Sequence, residues 1–150
     1  MGIFDALDIS GSALSAERLR MDVTSENLAN AQTTRGANGQ PYQRKEVVLQ
    51  EVGGAGSSFG ATLAGVMGSG SSSTPGGVEV AGIVQDKSQG QLVYDPGHPD
   101  ANAQGYVRMP NVEPVTEMTD LITESRSYEA NVTAMQTAKS MYTKTLDLLR

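Results

Sequence analysis

The chain has 150 residues, of which 38% are hydrophobic and 5% aromatic, so it is long enough for one domain but poorly supplied for a large core. Its 17 acidic and 11 basic residues give a formal net charge of −6, and its Lys and Arg residues are scattered, which argues against nucleic-acid binding. The absence of cysteine excludes disulfides, thiol catalysis and Cys-ligated metal.

The N-terminal region, residues 1–35, predicts one long helix from Asp5 to Ala31. This stretch contains no proline, and four apolar residues in it follow one another at intervals of seven: Leu7, Leu14, Met21 and Leu28. A repeat of seven keeps apolar side chains on one side of a helix that is wound against another helix. We therefore expect these four residues to face the C-terminal helix or a neighbouring chain.

The middle region, residues 36–110, predicts a small β part. Asn38-Gly39 is a strong turn dipeptide, and short strands are expected within residues 42–52, 78–84, 91–95 and 105–109. Between the first two strands, residues 53–77 form a Gly/Ser-rich insertion that is typical of a flexible surface loop. The alternative for this insertion is a short segment that folds against a partner, since Phe59, Leu63, Val66 and Met67 fall at helical spacing.

The C-terminal region, residues 111–150, carries the strongest pattern in the sequence. Thr116 is the expected N-cap of a helix that runs to the end of the chain, over about five heptads. Acidic residues near its start suit the helix dipole, and we interpret Glu117, Asp120 and Glu124 as a solvated face. The stripe follows alternating spacings of three and four: Met118, Leu121, Ser125, Tyr128, Val132, Met135, Lys139, Tyr142, Leu146 and Leu149.

The sequence thus predicts a mainly α fold with a small β part, in which paired terminal helices resemble a coiled coil. The C-terminal stripe is longer than the N-terminal one, and the middle region offers no further helices to cover both. Because isolated helices are marginal in water, other chains are expected to supply the missing surface. Removal of residues 146–150 should accordingly spare the monomer and damage an assembly.

No catalytic, cofactor-binding or metal site is expected from the sequence. The single histidine, His98, lies in a Pro-rich turn with Asp95 and Asp100, where turn chemistry accounts for both acids. No nucleophile elbow accompanies His98 in the sequence, and no phosphate-binding glycine loop is present. We therefore expect a non-enzymatic protein.

The N-terminus is not expected to be a cleavable signal peptide, because the first basic residue is Arg18. No apolar run approaches the roughly 20 residues that span a bilayer, so direct membrane insertion is not expected. A protein of this kind would need another route if it left the cytoplasm.

Four stretches resemble the bacterial flagellar basal-body rod proteins, and among them the short proximal-rod subunits. The N-L-A-N element at residues 27–30 is shared across rod and hook proteins, and the two stretches nearest the C-terminus are more specific. The resemblance fails over residues 53–77. The stretches are MDVTSENLANAQTT at 21–34, PYQRKEVVL at 41–49, GYVRMPNV at 105–112 and EMTDLITESRSYEANVTAMQTAKSMYTKTLDLL at 117–149.

This resemblance implies a structural subunit of a hollow rod that crosses the periplasm, transmits motor torque to the hook and conducts exported subunits. The implied partners are further copies of the chain, other proximal-rod and distal-rod proteins, the adaptor between rod and membrane ring, and the type III export apparatus. Export without a cleaved signal is also implied, with Ile3, Phe4 and Leu7 as the apolar residues read by that apparatus.

We expect the assembly interface to use both helices, with Asn27 and Asn30 fixing the backbone where the first helix ends. The alternative function is a secreted, non-enzymatic binding or capping module of an export apparatus, which would stay monomeric at high concentration. The residues expected at the interface are Leu7, Leu14, Met21, Asn27, Leu28, Asn30, Leu121, Tyr128, Val132, Met135, Tyr142, Leu146 and Leu149.

Overall fold

A computed structural model of the chain describes residues 3–36, 38–52 and 76–148, with the side chains of residues 3, 4 and 148 excepted. The possible helical segment within residues 53–77, and Leu149 of the expected interface, therefore lie outside the described residues. The elements in chain order are helix α1 (Ile3–Ala29), strands β1 (Lys45–Glu51), β2 (Val78–Gln85), β3 (Leu92–Tyr94) and β4 (Tyr106–Arg108), and helix α2 (Pro114–Leu148). Two long terminal helices around a small β part confirm the predicted fold class.

The four strands form two separate two-stranded antiparallel sheets. In the first, β1 pairs with β2; the Val52 N–H donates to the Gly77 carbonyl beyond one end, and the Asp86 N–H donates to the Arg44 carbonyl beyond the other. In the second, β3 and β4 pair with Val93 opposite Val107. All four predicted strands are present, within a few residues of the expected limits.

The end of α1 is closed by the side chain of Asn30. Its Nδ2 donates to the Glu26 carbonyl over 2.9 Å, and its Oδ1 accepts from the Thr33 hydroxyl over 3.2 Å. The last carbonyls of a helix have no partner within the helix, so an amide in this position satisfies one of them. The chain then turns at Gly39, which adopts a φ of 69° as the Asn38-Gly39 dipeptide predicts.

Helix α2 begins earlier than expected, at Pro114 rather than after Thr116. Proline is favoured at the first helical position because its fixed φ suits the helix and its missing N–H would be unpaired there anyway. The Glu117 N–H donates to the Glu113 carbonyl over 3.0 Å, which places the first turn before Thr116. The predicted N-cap at Thr116 is therefore wrong by three residues, which is nearly one turn.

The described residues divide into two compact units. One consists of Arg18–Val48 and Gly82–Arg126, and the other of Met1–Glu17, Leu49–Ala81 and Ser127–Arg150. The predicted division into 1–35, 36–110 and 111–150 follows the elements instead and stays a prediction. Few apolar side chains are fully buried among the described residues, and they are small: Ala16, Val23, Ala31, Val107 and Val112.

Candidate assembly surface and a buried polar junction

Asn27, near the end of α1, is one of two polar side chains in the described part of the chain that are almost completely buried. It is 1% exposed, and every hydrogen-bonding position of its amide is used. Its Nδ2 donates to Glu117 Oε2 over 3.0 Å and to the Lys45 carbonyl over 2.9 Å. Its Oδ1 accepts from the Tyr42 hydroxyl and from the Lys45 N–H, both over 2.9 Å. Asn27 thus joins α1, β1 and α2 at one point.

The partner of Asn27 on α2, Glu117, is equally buried and is neutralised by Arg44. Arg44 Nε lies 2.6 Å from Glu117 Oε1, so the two carboxylate oxygens serve two different donors. This hydrogen bond, assisted by the surrounding carboxylates, raises the pKa of Arg44 above its usual value although burial opposes it. Burying a carboxylate is costly unless it is paired and hydrogen-bonded, and Glu117 meets both conditions.

Asn111 connects the Arg44 backbone to the segment after β2. Its Oδ1 accepts from the Arg44 N–H over 2.8 Å, and its Nδ2 donates to the Asp86 carbonyl and to Ser88 Oγ. Asp86 in turn accepts from the Ser88 N–H and hydroxyl, which lowers its pKa. We call the set Asn27, Tyr42, Arg44, Asn111 and Glu117 the polar junction.

Tyr42 closes the polar junction on the side of Asn27. Burial of the phenol raises its pKa to about 12, and the negative charges of Glu26 and Glu117 act in the same direction. The phenol therefore stays neutral, and able to donate to Asn27 Oδ1, at pH values below about 12. Lys45 lies with its Nζ 5.8 Å from the centre of the Tyr42 ring and also pairs with Glu26.

A second buried carboxylate, Glu124, lies seven residues after Glu117 on α2 and is 4% exposed. Its Oε1 accepts from the Thr24 hydroxyl over 3.1 Å and lies 3.6 Å from Arg20 Nε. The interpretation of Glu117, Asp120 and Glu124 as a solvated face is therefore wrong for the two glutamates. Residues seven apart share a helix face, so both glutamates point to the α1 side, where polar partners replace water.

The four apolar heptad residues of α1 are all half-buried, whereas the most buried positions of this helix are Ala16, Val23, Thr24 and Asn27. At 100° per residue, that buried set is centred on a different side of the helix from the heptad residues. The closest packing within the chain therefore uses small and polar side chains. The larger apolar stripe of Leu7, Leu14, Met21 and Leu28 keeps part of its surface in water.

On α2 the expected interface residues change from half-buried to exposed along the helix. Leu121, Tyr128, Val132 and Met135 are half-buried, while Tyr142 and Leu146 are exposed. A Cβ added at Gly11 would lie 4.0 Å from the Met135 methyl, so Met135 packs beside that glycine of α1. The stripe positions Met118 and Ser125 are also exposed, and buried Glu117 and Glu124 precede them by one residue.

The structure describes the backbone of the three residues expected to be read during export, but the side chain of only one of them. Helix α1 begins at Ile3, so Ile3, Phe4 and Leu7 are all helical, but the side chains of Ile3 and Phe4 lie outside the description. Leu7 is half-buried. Asn30, also expected at the interface, is half-buried and makes the helix-capping contacts given above.

Sequence reasoning missed Tyr42 and Glu117 as partners of Asn27, and it missed Arg44 and Asn111 as the residues that connect to Glu117 and to the Arg44 backbone. The burial of Glu117 and Glu124 could have been suspected from the sequence, because these residues are seven apart and therefore follow the same repeat as an apolar seam. The pairing of Arg44 with Glu117 could not have been predicted from the sequence, because no local pattern connects residues that are 73 positions apart.

The turn around His98 is held by the side chains that the sequence assigns to turn chemistry. Asp95 accepts from the Gly97 N–H over 3.1 Å, and His98 Nδ1 accepts from the Asp100 N–H over 3.1 Å. Asp100 also accepts from the Thr34 hydroxyl over 2.8 Å. Within residues 3–36, 38–52 and 76–148, no cluster of three or more potential metal ligands occurs.

Neither long helix, over its described length, is apolar enough to cross a membrane. The large exposed apolar side chains of α2 are Val115, Met118, Ile122, Met141, Tyr142 and Leu146.

Comparisons with known proteins match both ends of the chain and its whole length. A family model described as "Flagella basal body rod protein" matches residues 7–37, and one described as "Flagellar basal body rod FlgEFG protein C-terminal" matches residues 103–148. The chain is 52% identical over 152 residues to the flagellar basal-body rod protein FlgC of Bacillus subtilis (strain 168), with 99% of each chain covered. It is 42% identical over 148 residues to FlgC of Salmonella typhimurium (strain LT2), covering 99% of this chain and 98% of the relative. It is 39% identical over 154 residues to FlgC of Borreliella burgdorferi, covering 100% and 99%.

Proposed function

Because this chain belongs to the FlgC family of flagellar basal-body rod proteins and is a structural subunit of that rod, we propose that it polymerises through its two terminal helices. In this proposal the polar junction fixes how the end of α1 lies on the start of α2. The apolar surface that this pairing leaves uncovered is then buried by neighbouring subunits.

The observation that carries the proposal is the exposed apolar surface of α2. Val115 is 72% exposed, and Met118 and Ile122, at spacings of three and four, share its side of the helix. Further along the helix Met141, Tyr142 and Leu146 are exposed as well. Burying a large apolar side chain contributes roughly 1.5–3 kcal/mol, so a rod that covers these residues gains far more than an isolated chain can.

The lengths of the two helices support the same proposal. Helix α2 has 35 residues and α1 has 27, so α2 is about two turns longer. A helix that exceeds its partner presents surface that the partner cannot reach. In a rod of identical or related subunits, that surface is available to the helices of the next subunit.

The proposed partners are further copies of this chain, the other proximal-rod and distal-rod proteins, the adaptor between the rod and the membrane ring, and the flagellar type III export apparatus. The rod built in this way would be the hollow shaft that transmits torque and conducts exported subunits. The chain itself would leave the cytoplasm without a cleaved signal, with Ile3, Phe4 and Leu7 read during export. We assign it no catalytic or cofactor-dependent role.

Deletion of the gene and complementation with wild-type and variant chains tests this function. Cells that lack the chain should make basal bodies that stop before the rod, and the wild-type chain should restore rods and swimming. A variant with both Val132→Asp and Met135→Asp should be exported without restoring rods. Complete rods in the deletion strain, seen by electron microscopy, would refute the proposed function.

A further inference from the structure

One face of the β3–β4 sheet is exposed to solvent. The register sets Leu92 opposite Arg108 and Tyr94 opposite Tyr106, so these four side chains share one face. Val93 and Val107 point to the other face, where Val107 is 2% exposed. All four residues of the first face are exposed, with Tyr94 at 65%. We call Leu92, Tyr94, Tyr106 and Arg108 the tyrosine–arginine face.

The two tyrosine rings of this face contact each other within the chain. Their centroids lie 5.3 Å apart at an interplanar angle of 65°, an edge-to-face pair across the two strands. A Cβ on Gly105, whose φ is 82°, would come within 2.9 Å of the Tyr94 ring, so glycine leaves the space that the ring occupies. Asn102 Oδ1 also accepts from the Tyr106 N–H over 2.9 Å. Aromatic side chains that are already ordered lose little conformational entropy on binding.

The same face carries positive charge on an acidic protein. Arg108 also lines a surface hollow of about 290 Å³ together with Lys87, and the remaining lining residues are uncharged. The chain has a formal net charge of −6, so the outer surface of another copy is acidic on average. Tyr and Arg, together with Trp, are the residue types enriched at the energetic centres of protein interfaces. Aromatic surface, two cations and an acidic counterpart are therefore complementary.

The charge of this face also decides the type of contact. If the face met itself across a two-fold axis, Arg108 and Lys87 of both copies would be brought together, which like charges oppose. A contact with a different surface of the second copy avoids this repulsion. Such heterologous contacts repeat from copy to copy, and they generate rings when the rotation closes and helical filaments when it does not.

We propose that the tyrosine–arginine face docks on an acidic surface of a second copy of this chain, as a head-to-tail contact outside the terminal helices. The proposal rests on the rod function, because a polymer is what brings a second copy to this face. It adds a contact from the β part of the chain to the helical packing. Arg108 and Lys87 would set the charge preference, and the two rings would supply most of the buried surface.

Photo-crosslinking in assembled rods tests the identity of the occupant. Tyr94 is replaced by p-benzoylphenylalanine, which keeps an aromatic ring at this position, in cells whose only copy of the chain carries it. The expected adduct contains two copies of the 15.7 kDa chain. An adduct with any other protein, or no adduct in swimming cells, would overturn the second-copy contact. The same substitution at Tyr106 provides a second position should the first impair assembly.

Variants at Arg108 test the charge preference without a photoreactive residue. Arg108→Glu should lower the number of complete rods about tenfold, a loss of the size expected when one interfacial cation is reversed, and Arg108→Lys should stay near wild type. Equal rod numbers for these two variants would contradict the proposal. An adduct to a different rod protein would refute only this contact, whereas complete rods in the deletion strain would refute the rod function itself.

Discussion

The side chain of Asn27 connects α1 to β1 and to the start of α2. Its amide bonds to the main chain of Lys45 and to the side chains of Tyr42 and Glu117, the last 90 residues away in sequence. Amide groups that use both donors and both acceptor sites in a buried position are difficult to replace, since any substitution leaves several groups unpaired. The N-L-A-N element thus has a physical role at its first residue.

Replacing Asn27 with Ala should lower the free energy of unfolding by about 2–4 kcal/mol, because it strands buried donors and acceptors on three partners. Asn30→Ala is the matched control, since this residue is less buried and its Nδ2 donates to one helix-end carbonyl. That control should cost about 1 kcal/mol or less. Urea denaturation of the two purified variants followed by circular dichroism measures both values. Equal losses would show that the polar junction does not depend on Asn27.

Tyr42 gives the polar junction a dependence on alkaline pH. Its pKa is raised to about 12, above the ordinary value of about 10 in an unfolded chain. The unfolded state therefore loses its phenol proton first, so this contribution to stability is complete below about pH 10 and declines as the pH rises towards 12. Melting temperatures across this range should fall more steeply for the wild-type chain than for Tyr42→Phe, which cannot ionise. Parallel curves for the two proteins would contradict this role of the phenol.

The burial of the side chains of α2 decreases along the helix. Its first third carries buried Glu117 and Glu124, its middle carries half-buried Tyr128, Val132 and Met135, and its last described turns are exposed. A core helix of a globular bundle would bury a continuous apolar stripe instead. The helix is therefore most buried near its start, and under the proposed function other chains cover the part that is exposed.

Glu117→Gln should lower the free energy of unfolding by about 2–4 kcal/mol, because a glutamine offers one acceptor oxygen where Arg44 and Asn27 need two, and leaves the Arg44 charge poorly paired. Asp120→Asn is the matched control, as its Oδ2 lies 3.5 Å from Arg44 and its side chain is 44% exposed. That pair should contribute less than about 1 kcal/mol. Thermal or urea unfolding of both variants measures the difference. A larger effect at Asp120 would place the important charge outside the polar junction.

Leu146→Asp should leave the stability of the isolated chain within about 0.5 kcal/mol of wild type, because the side chain is already 49% exposed. Rod assembly should nevertheless fall about tenfold or more, since a carboxylate would have to be buried between subunits. Leu146→Met, which keeps an apolar side chain of similar size, should assemble normally. Counting rods on purified basal bodies compares the three chains, and normal rods with Leu146→Asp would exclude this position from the interface.

For the whole molecule, the fold class and the four strands could be predicted because they depend on local periodicity and turn residues. The apolar intervals of seven gave both helices, and Asn38-Gly39 gave the turn. The polar junction could not be predicted, because it depends on which distant residues meet: Arg44 with Glu117, and Thr24 with Glu124. The same limit applies to the tyrosine–arginine face, which follows from the register of β3 and β4 rather than from the composition of either strand.

The chain as a whole pairs a small, polar internal junction with exposed apolar surface, and this combination suits a subunit that becomes stable in its polymer. Only small apolar side chains are fully buried among the described residues, so under the proposed function neighbouring subunits supply much of the stabilising contact. Association contributes to apparent stability by mass action, so the assembled rod should hold the helices far more firmly than dilute solution does.

The central claim is that neighbouring subunits bury the exposed face of α2, and thiol labelling tests it directly. The chain has no cysteine, so Leu146→Cys introduces a single reactive position. A maleimide should label this thiol rapidly in the isolated chain and in dissociated basal bodies, and at least about tenfold more slowly in intact rods, where access requires local opening. Equal labelling rates in intact rods and in the isolated chain would contradict the account.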